Sequence, residues 1–147
     1  MSASSTPAAG LTQLREWIAT GGRAPIGDTL QFDLVEADAG RAVFRGTPGI
    51  HAYNPIGSVH GGYAATLLDS ACACAVHSML SASQAHTTLE LKVSFHRALT
   101  RDTGEVRAEG CVLSFGSRVA FAEAKLTDAA GRVCASATST LLVFERR

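Results

Sequence analysis

The sequence of 147 residues has no excess of charge of either sign, since 13 Lys and Arg residues balance 13 Asp and Glu residues. It also has no basic cluster, which argues against nucleic acid as the main partner. Charged residues make up only 18% of the chain and apolar residues 46%, so we expect a globular protein rather than a disordered one. The length suits one domain with a core and is short for two.

Cysteine is scarce, and its spacing fits no metal site. The four cysteines are Cys72, Cys74, Cys111 and Cys134. Cys72 and Cys74 lie two apart on a predicted helix and therefore point to different faces. We expect four buried, reduced thiols in a cytoplasmic protein, and no bound metal.

The first ten residues, MSASSTPAAG, lack the positive n-region and the apolar h-region of a signal peptide. We expect residues 1–10 to form a disordered tail and residues 11–147 to form a single domain.

The hydrophobic pattern predicts a helix, two strands, a long helix and then four strands. These elements are predicted over residues 11–19, 30–38, 41–48, 61–80, 86–98, 104–116, 117–129 and 132–145. The turns between the last four strands are short, which favours an antiparallel meander. The pattern is typical of an α+β chain with one sheet and one dominant helix.

The long helix is small or apolar on all sides, and Asp69 is its one charged residue between Gly61 and Val76. Such a helix either spans a membrane or is enclosed by protein. The central acid and the excess of Ala, Ser and Cys over Leu disfavour a membrane, so we expect a helix wrapped by a curved sheet. Burying an unpaired carboxylate is costly. Asp69 is therefore either held by backbone amides or is a catalytic or ligand-binding acid.

Two glycines, Gly61 and Gly62, stand where this helix begins. A helix N-terminus presents free N–H groups and a positive dipole end, which suits an oxygen that gains negative charge. Glycine there lets a substrate carbonyl approach the backbone. Asn54 and His60 flank the same turn and are placed either to orient the bound group or to hold the helix start.

Gly61 and Asp69 are eight residues apart, which separates them by roughly 12 Å along one helix. An oxyanion donor and a carboxylate that act on the same carbonyl must both lie within a few Å of it. Two antiparallel helices related by a two-fold axis would bring Gly61 of one chain to Asp69 of the other. The spacing therefore predicts a dimer with two shared sites.

The run NPIGSVHGGYAATLLDSA resembles the signature of the hotdog-fold acyl-CoA thioesterases, in particular the phenylacetate-pathway (PaaI-like) branch and its mammalian thioesterase-superfamily-member-2 relatives. The signature is Asn, then Gly-x-x-His-Gly-Gly, then Asp eight residues after the first glycine of the pair. The residues that match it without a gap are Asn54, Gly57, His60, Gly61, Gly62 and Asp69. The segment GSRVAFAEAKLTDAAGRVCASATSTLLV also resembles the family's closing hairpin, and the resemblance covers roughly residues 25–145.

The resemblance implies a hotdog fold, in which an antiparallel sheet wraps around a long central helix, and a homodimer that often pairs again into a homotetramer. It implies that the Gly61 N–H polarises the thioester carbonyl, with support from Asn54 and possible help from His60. It assigns Asp69 of the partner chain as general base or nucleophile. The second polar helper falls at Thr88, with a register uncertain by one because Thr87 precedes it.

The resemblance implies an acyl-CoA or aryl-acyl-CoA substrate and no separate cofactor, since coenzyme A is part of the substrate. We expect Gly62, Arg97, Ser117 and Arg118 to bind the substrate or its CoA part, although the two arginines equally suit a solvated surface. Neither a membrane nor a nucleic acid is an expected partner.

Two alternatives to the thioesterase remain. A hotdog dehydratase or hydratase would pair a loop histidine, here His51, with Asp69. A non-catalytic acyl-CoA-binding protein would use the same pocket without needing an acid at position 69. The sequence leaves the acyl group open between aromatic and medium-chain fatty acyl groups.

Overall fold

The computed structural model describes residues 6–147, and one six-stranded antiparallel sheet packs against one long helix. The elements in chain order are α1 (Ala9–Ala19), α2 (Pro25–Leu30), β1 (Phe32–Asp38), β2 (Arg41–Gly46), a 3₁₀ turn (Ile50–Ala52), α3 (Gly61–His77), β3 (Gln84–Phe95), β4 (Val106–Phe115), β5 (Val119–Thr127) and β6 (Val133–Glu145). The prediction of an α+β chain with all six strands and both major helices is confirmed. Helix α2 was not predicted.

The strands follow the order β1-β2-β4-β5-β6-β3. Only β4, β5 and β6 form the predicted meander, and the expectation that β3 neighbours β4 is wrong. The physical reason is that β2 and β3 run parallel to each other, so helix α3 must connect them as a crossover. The helix lies across the three intervening strands, and β3 emerges at the far edge of the sheet beside β6.

Helix α3 contacts all six strands. A flat sheet of six strands is roughly 24 Å wide, whereas a helix with its side chains is about 10–12 Å across. The sheet must therefore curl around the helix, as predicted. The buried side chains repeat every fourth residue in two rows, which are Tyr63, Leu67, Ala71 and Ala75, and Ala64, Leu68, Cys72 and Val76.

The contact between α3 and the sheet is close because the residues beneath the helix are small. At Gly110 on β4, an added Cβ would collide with the carbonyl oxygen of Ala71. Ala108 on the same strand and Ala122 on β5 are also fully buried. The backbone of the helix therefore rests directly on the backbone of the sheet.

The prediction that α3 is enclosed on every side is wrong for the single chain. One face, made by Ala65, Thr66, Asp69, Ala73 and Cys74, is only half-buried. The reason is that the curled sheet covers the helix from one side only, while α1 contacts part of the other side. None of the helices within residues 6–147 is long and apolar enough to cross a bilayer.

Residues 1–5 of the predicted tail lie outside the described residues, and the predicted tail extends too far at its other end. Helix α1 begins at Ala9, before the predicted boundary at residue 11. Gly10 is buried, and its N–H donates a hydrogen bond to the carbonyl of Leu80 at 3.0 Å. An added Cβ at Gly10 would collide with the carbonyl oxygen of His77, so glycine allows α1 to dock against the end of α3.

Candidate active site

Asp69 lies on the half-buried face of α3, where it borders a cavity of about 930 Å³. The Thr88 hydroxyl on β3 donates a hydrogen bond to Oδ1 of Asp69 at 3.0 Å. The expectation that Asp69 is fully buried is wrong for the single chain, because the sheet covers only the opposite face of the helix. The carboxylate is instead held by one hydroxyl at the edge of a large, mostly apolar space.

A β-bulge in β3 turns the Thr88 side chain toward Asp69. Thr88 pairs with Leu141 and Glu90 pairs with Thr140, so Leu89 is an extra residue without a partner on β6. Counted backward from the C-terminal end of β3, Val93 and Leu91 face inward. In a regular strand, every second residue faces the same side, so position 89 would also face inward. The bulge shifts the alternation by one, which turns Leu89 outward and Thr88 inward. Thr88, and not its neighbour at position 87, is therefore the residue whose hydroxyl bonds to Asp69.

At the other end of α3, His60 occupies the N-cap position. Its Nδ1 accepts a hydrogen bond from the N–H of Gly62 at 2.8 Å. The Gly62 amide is thus occupied within the chain, whereas the amide of Gly61 has no acceptor among residues 6–147. Of the two predicted glycines, Gly61 is the one with a free donor at the positive end of the helix dipole.

Asn54 holds the loop that leads into α3 rather than projecting toward a bound group. Its Oδ1 accepts hydrogen bonds from the N–H groups of Ile56 at 3.1 Å and Ser58 at 3.2 Å, and its Nδ2 donates to Oγ of Ser58 at 3.1 Å. Both halves of the amide are therefore used locally, as is typical of asparagine in loops. In the single chain, Asn54 acts on the helix start by fixing this loop.

A second cavity of about 340 Å³ lies beside Gly61 and is bordered by Phe95, His96 and Arg97. The Phe95 ring packs over Gly61, where an added Cβ would come within 2.9 Å of Cζ. Yet 61% of the Phe95 surface remains exposed. The free amide of Gly61 is therefore flanked by one aromatic ring and one exposed arginine.

Arg97 and Arg118 lie beside opposite ends of strand β6. The N–H of Arg97 donates to the carbonyl of Cys134 at 3.0 Å, and the N–H of Val143 donates to the carbonyl of Arg118 at 2.8 Å. Cys134 and Val143 are nine residues apart on β6, which is roughly 30 Å. Arg97 therefore lies at the end of β6 near Gly61, whereas Arg118 and the adjacent Ser117 lie at the end of β6 that pairs with His86.

Two histidines that spacing did not single out, His77 and His86, also line the Asp69 cavity. Their rings meet edge to face with centroids 5.4 Å apart. Burial lowers the pKa of both rings, and the nearby Arg146 lowers both further. The sequence offers no short-range signal for this pair, because His77 ends α3 and His86 lies on the edge strand that follows.

The cysteines are free, but only Cys72 and Cys134 are buried, while Cys74 and Cys111 are half-buried. Burial raises the pKa of Cys72 and of Cys74 to about 12. Cys74 borders the same cavity as Asp69 but stays a protonated thiol at neutral pH, so it is a poor nucleophile. Among the groups that border this cavity, Asp69 is the better candidate base or nucleophile.

The sequence model of the thioesterase superfamily matches residues 56–135. The chain belongs to the thioesterase superfamily. The matched residues contain the loop before α3, all of α3 and the strands through the start of β6. They include both Gly61 and the Asp69–Thr88 pair.

Solved structures confirm the hotdog fold. The PaaI protein from the phenylacetic acid degradation operon of E. coli superposes with a TM-score of 0.80 at 20% identity, covering 95% of this chain and 96% of its own. A phenylacetic acid degradation-related protein from Ralstonia eutropha JMP134 gives a TM-score of 0.77 at 25% identity, over 88% and 98% of the two chains. A Streptococcus mutans UA159 protein bound to acetyl CoA gives 0.71 at 22% identity, over 79% and 90%. No curated protein is significantly similar in sequence.

Proposed function

We propose that this thioesterase-superfamily member is an acyl-CoA thioesterase, which hydrolyses an acyl- or aryl-acyl-CoA thioester to the free acid and CoA. One observation carries the proposal. Asp69 in the middle of α3 borders one cavity with its Thr88 partner beside it, and the free amide of Gly61 borders another cavity at the N-terminus of the same helix. A carboxylate and an unpaired N–H donor are the two groups that hydrolysis of an activated carbonyl requires.

In the proposed reaction, the Gly61 N–H stabilises the negative charge that develops on the thioester oxygen. Asp69 either takes a proton from water as the water oxygen attacks the carbonyl carbon, or attacks that carbon itself to give an anhydride that water then hydrolyses. In both routes the C–S bond breaks and the CoA thiolate leaves and takes up a proton. The reaction as proposed uses no cofactor, because the thioester is already activated.

Within one chain, Gly61 and Asp69 cannot serve the same carbonyl. They are separated by roughly 12 Å along the helix axis and border different cavities. We therefore propose that two chains form a dimer in which each site combines Gly61 from one chain with Asp69 and Thr88 from the other. The long edge strand supports this arrangement, because β3 has 12 residues and pairs on one side only.

The dimer also explains the placement of the proposed CoA contacts. An antiparallel arrangement of two α3 helices would place Arg97 of one chain and Arg118 with Ser117 of the other around the same site. Basic groups there would attract the phosphates of coenzyme A. The Streptococcus mutans protein that binds acetyl CoA supports a CoA thioester as the ligand class for this fold.

We further propose that two dimers pair into a homotetramer that acts in the cytoplasm. Leu113 and Phe121 on the sheet are exposed at 57% and 45%, and Phe144 is also exposed, which leaves apolar surface for such a contact. Sedimentation of the purified protein distinguishes a dimer from a tetramer.

The dehydratase alternative loses its support in this structure. His51 donates from Nε2 to the carbonyl of Leu30 at 3.1 Å and is not among the residues that border the Asp69 cavity. The observed neighbours of Asp69 thus do not include the loop histidine that a dehydratase would pair with it.

The direct test follows CoA release with a thiol reagent over a panel of aryl-acyl- and fatty acyl-CoA substrates. We expect release from at least one of them, and a loss of about 10²–10⁴-fold in kcat for Asp69→Asn with little change in substrate affinity. Asp102→Asn, an exposed loop variant, is the matched control. An active Asp69→Asn variant rejects the role of Asp69, and tight binding without release identifies an acyl-CoA-binding protein instead.

Mixed dimers test the shared site. Gly61→Pro chains and Asp69→Asn chains are each expected to be inactive, and each mixed dimer contains one site with both residues intact. Mixing them by unfolding and refolding should restore up to about a quarter of wild-type activity, since half of the dimers are mixed and each has one intact site. If mixed dimers form and activity does not return, the site is not shared between chains.

A further inference from the structure

We propose that the Asp69 cavity selects acyl groups with an extended apolar body and an uncharged polar end, and that the His77–His86 pair recognises that end. The inference rests on the proposed thioesterase function and names the substrate class of the same site. It assigns a specificity role to residues that take no part in the proposed bond-making steps.

The geometry of the cavity sets the length of the acyl group. Asp69 and His77 lie on the same side of α3, eight residues apart, and Ala73 and Cys74 border the cavity between them. A substrate whose carbonyl lies beside Asp69 has roughly 12 Å of helix surface before it reaches His77. His86 is nearer, because it lies two residues before Thr88 on the same face of β3, which is roughly 7 Å along the strand. An extended chain of about six to ten carbons therefore reaches the pair.

The opposite wall of the cavity is apolar and comes from the N-terminal helices. Leu14 and Trp17 on α1 and Ile26 on α2 border the cavity, together with Phe32 and Phe44 on the first two strands. All five residues precede the range that matches the superfamily model. The wall that faces the acyl body is thus contributed by a part of this chain outside that range.

The polar end of the cavity is an uncharged imidazole pair. Nδ1 of His86 is enclosed by protein and has no hydrogen-bond partner within residues 6–147, while the residue borders the cavity. We therefore assign its other nitrogen, Nε2, to the bound group. Nε2 of His77 donates to Oε1 of Gln13 at 2.9 Å, which fixes that ring. Protonating His86 would bury an N–H without an acceptor, so the ring stays neutral and its open nitrogen offers one hydrogen bond.

The charged groups that face the cavity disfavour an anionic acyl end. Asp69 and Glu16 border it with negative charge, and Arg23 also borders it. The guanidinium of Arg23 is already bound by Asp33 at 2.8 Å and Asp28 at 3.6 Å. The nearby Arg146, which is not a lining residue, donates from Nε to the carbonyl of Gln84 at 3.0 Å. A terminal hydroxyl therefore suits the imidazole pair. A terminal carboxylate would lose its hydration in a mostly apolar cavity whose lining cation, Arg23, is already paired.

Three CoA thioesters of equal chain length test this selection, namely octanoyl-CoA, 8-hydroxyoctanoyl-CoA and the monothioester of octanedioic acid. We expect the hydroxylated substrate to have the highest kcat/KM and to exceed the carboxylated one at least about tenfold. In His86→Phe, which keeps an aromatic ring and removes both ring nitrogens, the preference for hydroxyl over methyl should vanish.

His77→Phe is the second variant and should reduce the same preference. His51→Phe, at an exposed histidine that borders neither cavity, is the matched control that should keep the wild-type ratios. Equal hydroxyl-to-methyl ratios in wild type, His86→Phe and His77→Phe would overturn the inference while leaving the thioesterase intact. Affinities of the three thioesters for Asp69→Asn give the same comparison without turnover. Their order therefore tests the inference even if no substrate is hydrolysed, which is the separate result that would reject the proposed function.

Discussion

The Thr88 hydroxyl lies 3.0 Å from Oδ1 of Asp69 and donates its proton to it, although 19 residues separate the two positions. The bond is possible because the bulge at Leu89 turns Thr88 inward on β3. It occupies one carboxylate oxygen, and Oδ2 remains for a water molecule or a carbonyl carbon. The pair joins the middle of α3 to the edge of the sheet at the candidate site.

Thr88→Val keeps the shape of the side chain and removes this hydrogen bond, whereas Thr88→Ser keeps the bond. We expect the valine variant to lose about 10–100-fold in kcat, since a hydrogen bond to a charged group contributes about 1.5–3 kcal/mol. The serine variant should retain most of the activity. Equal activities of the two variants in the CoA-release assay would show that the hydroxyl has no part in turnover.

Gly61→Pro removes the free amide at a helix position that tolerates proline. His60, which precedes it, has an extended conformation with φ −59° and ψ 136°, as a residue before proline prefers. We expect the loss of the oxyanion donor to lower kcat about 10²–10³-fold.

Gly61→Ala is the control for that variant, because it keeps the N–H and adds only a Cβ against the exposed Phe95 ring. It should be far more active than the proline variant. Thermal unfolding of both variants checks that the helix start is intact. Comparable losses of activity in the two variants would indicate that Gly61 matters only because it has no side chain, and that its N–H is not a donor.

The stability of the fold should fall as the pH drops below about 6.5. Burial lowers the pKa of His77 and His86 from that ordinary value, so in this window the unfolded chain takes up protons that the folded chain does not. Protonation therefore favours unfolding, and stability is fully present only above the unfolded pKa. The lowered carboxyl pKa values of Glu36 and Asp128 act at lower pH, below their ordinary values of 4.5 and 3.8.

The measurement is the melting temperature between pH 7.5 and pH 5. It should fall less steeply in His86→Phe than in wild type, while the exposed His96→Phe should follow wild type. A melting temperature of wild type that rises toward pH 5 would contradict the sign of this prediction.

Gly110→Ala tests the close packing of α3 on β4. The added methyl group would collide with the carbonyl oxygen of Ala71, which is backbone and can move only with the helix. We expect a loss of about 1–3 kcal/mol in the free energy of unfolding, measured in urea. Ser114→Ala, an exposed change on the same strand, should stay within about 0.5 kcal/mol of wild type, and a neutral Gly110→Ala would contradict the proposed contact.

Much of the fold was readable from local patterns. Alternation located all six strands, and the apolar run after Gly61 located α3, because these signals depend on neighbours within a few residues. The position of β3 was not readable, since it depends on the length of the crossover helix and on the strands that the helix covers. Gly10 was assigned to a tail for a similar reason, because its docking partner at Leu80 is 70 residues away.

The candidate site divides in the same way. The sequence by itself determined that an acid stands eight residues after a glycine at a helix start, and helix geometry alone then separates those two groups. Only the tertiary structure decided that Thr88 faces Asp69, that Gly62 is occupied by His60, and that His77 meets His86 in one cavity. The first and the third depend on a bulge and on the register of an edge strand, which relate distant segments that no local pattern records. The cap is local in sequence, but it depends on which way the His60 ring is turned.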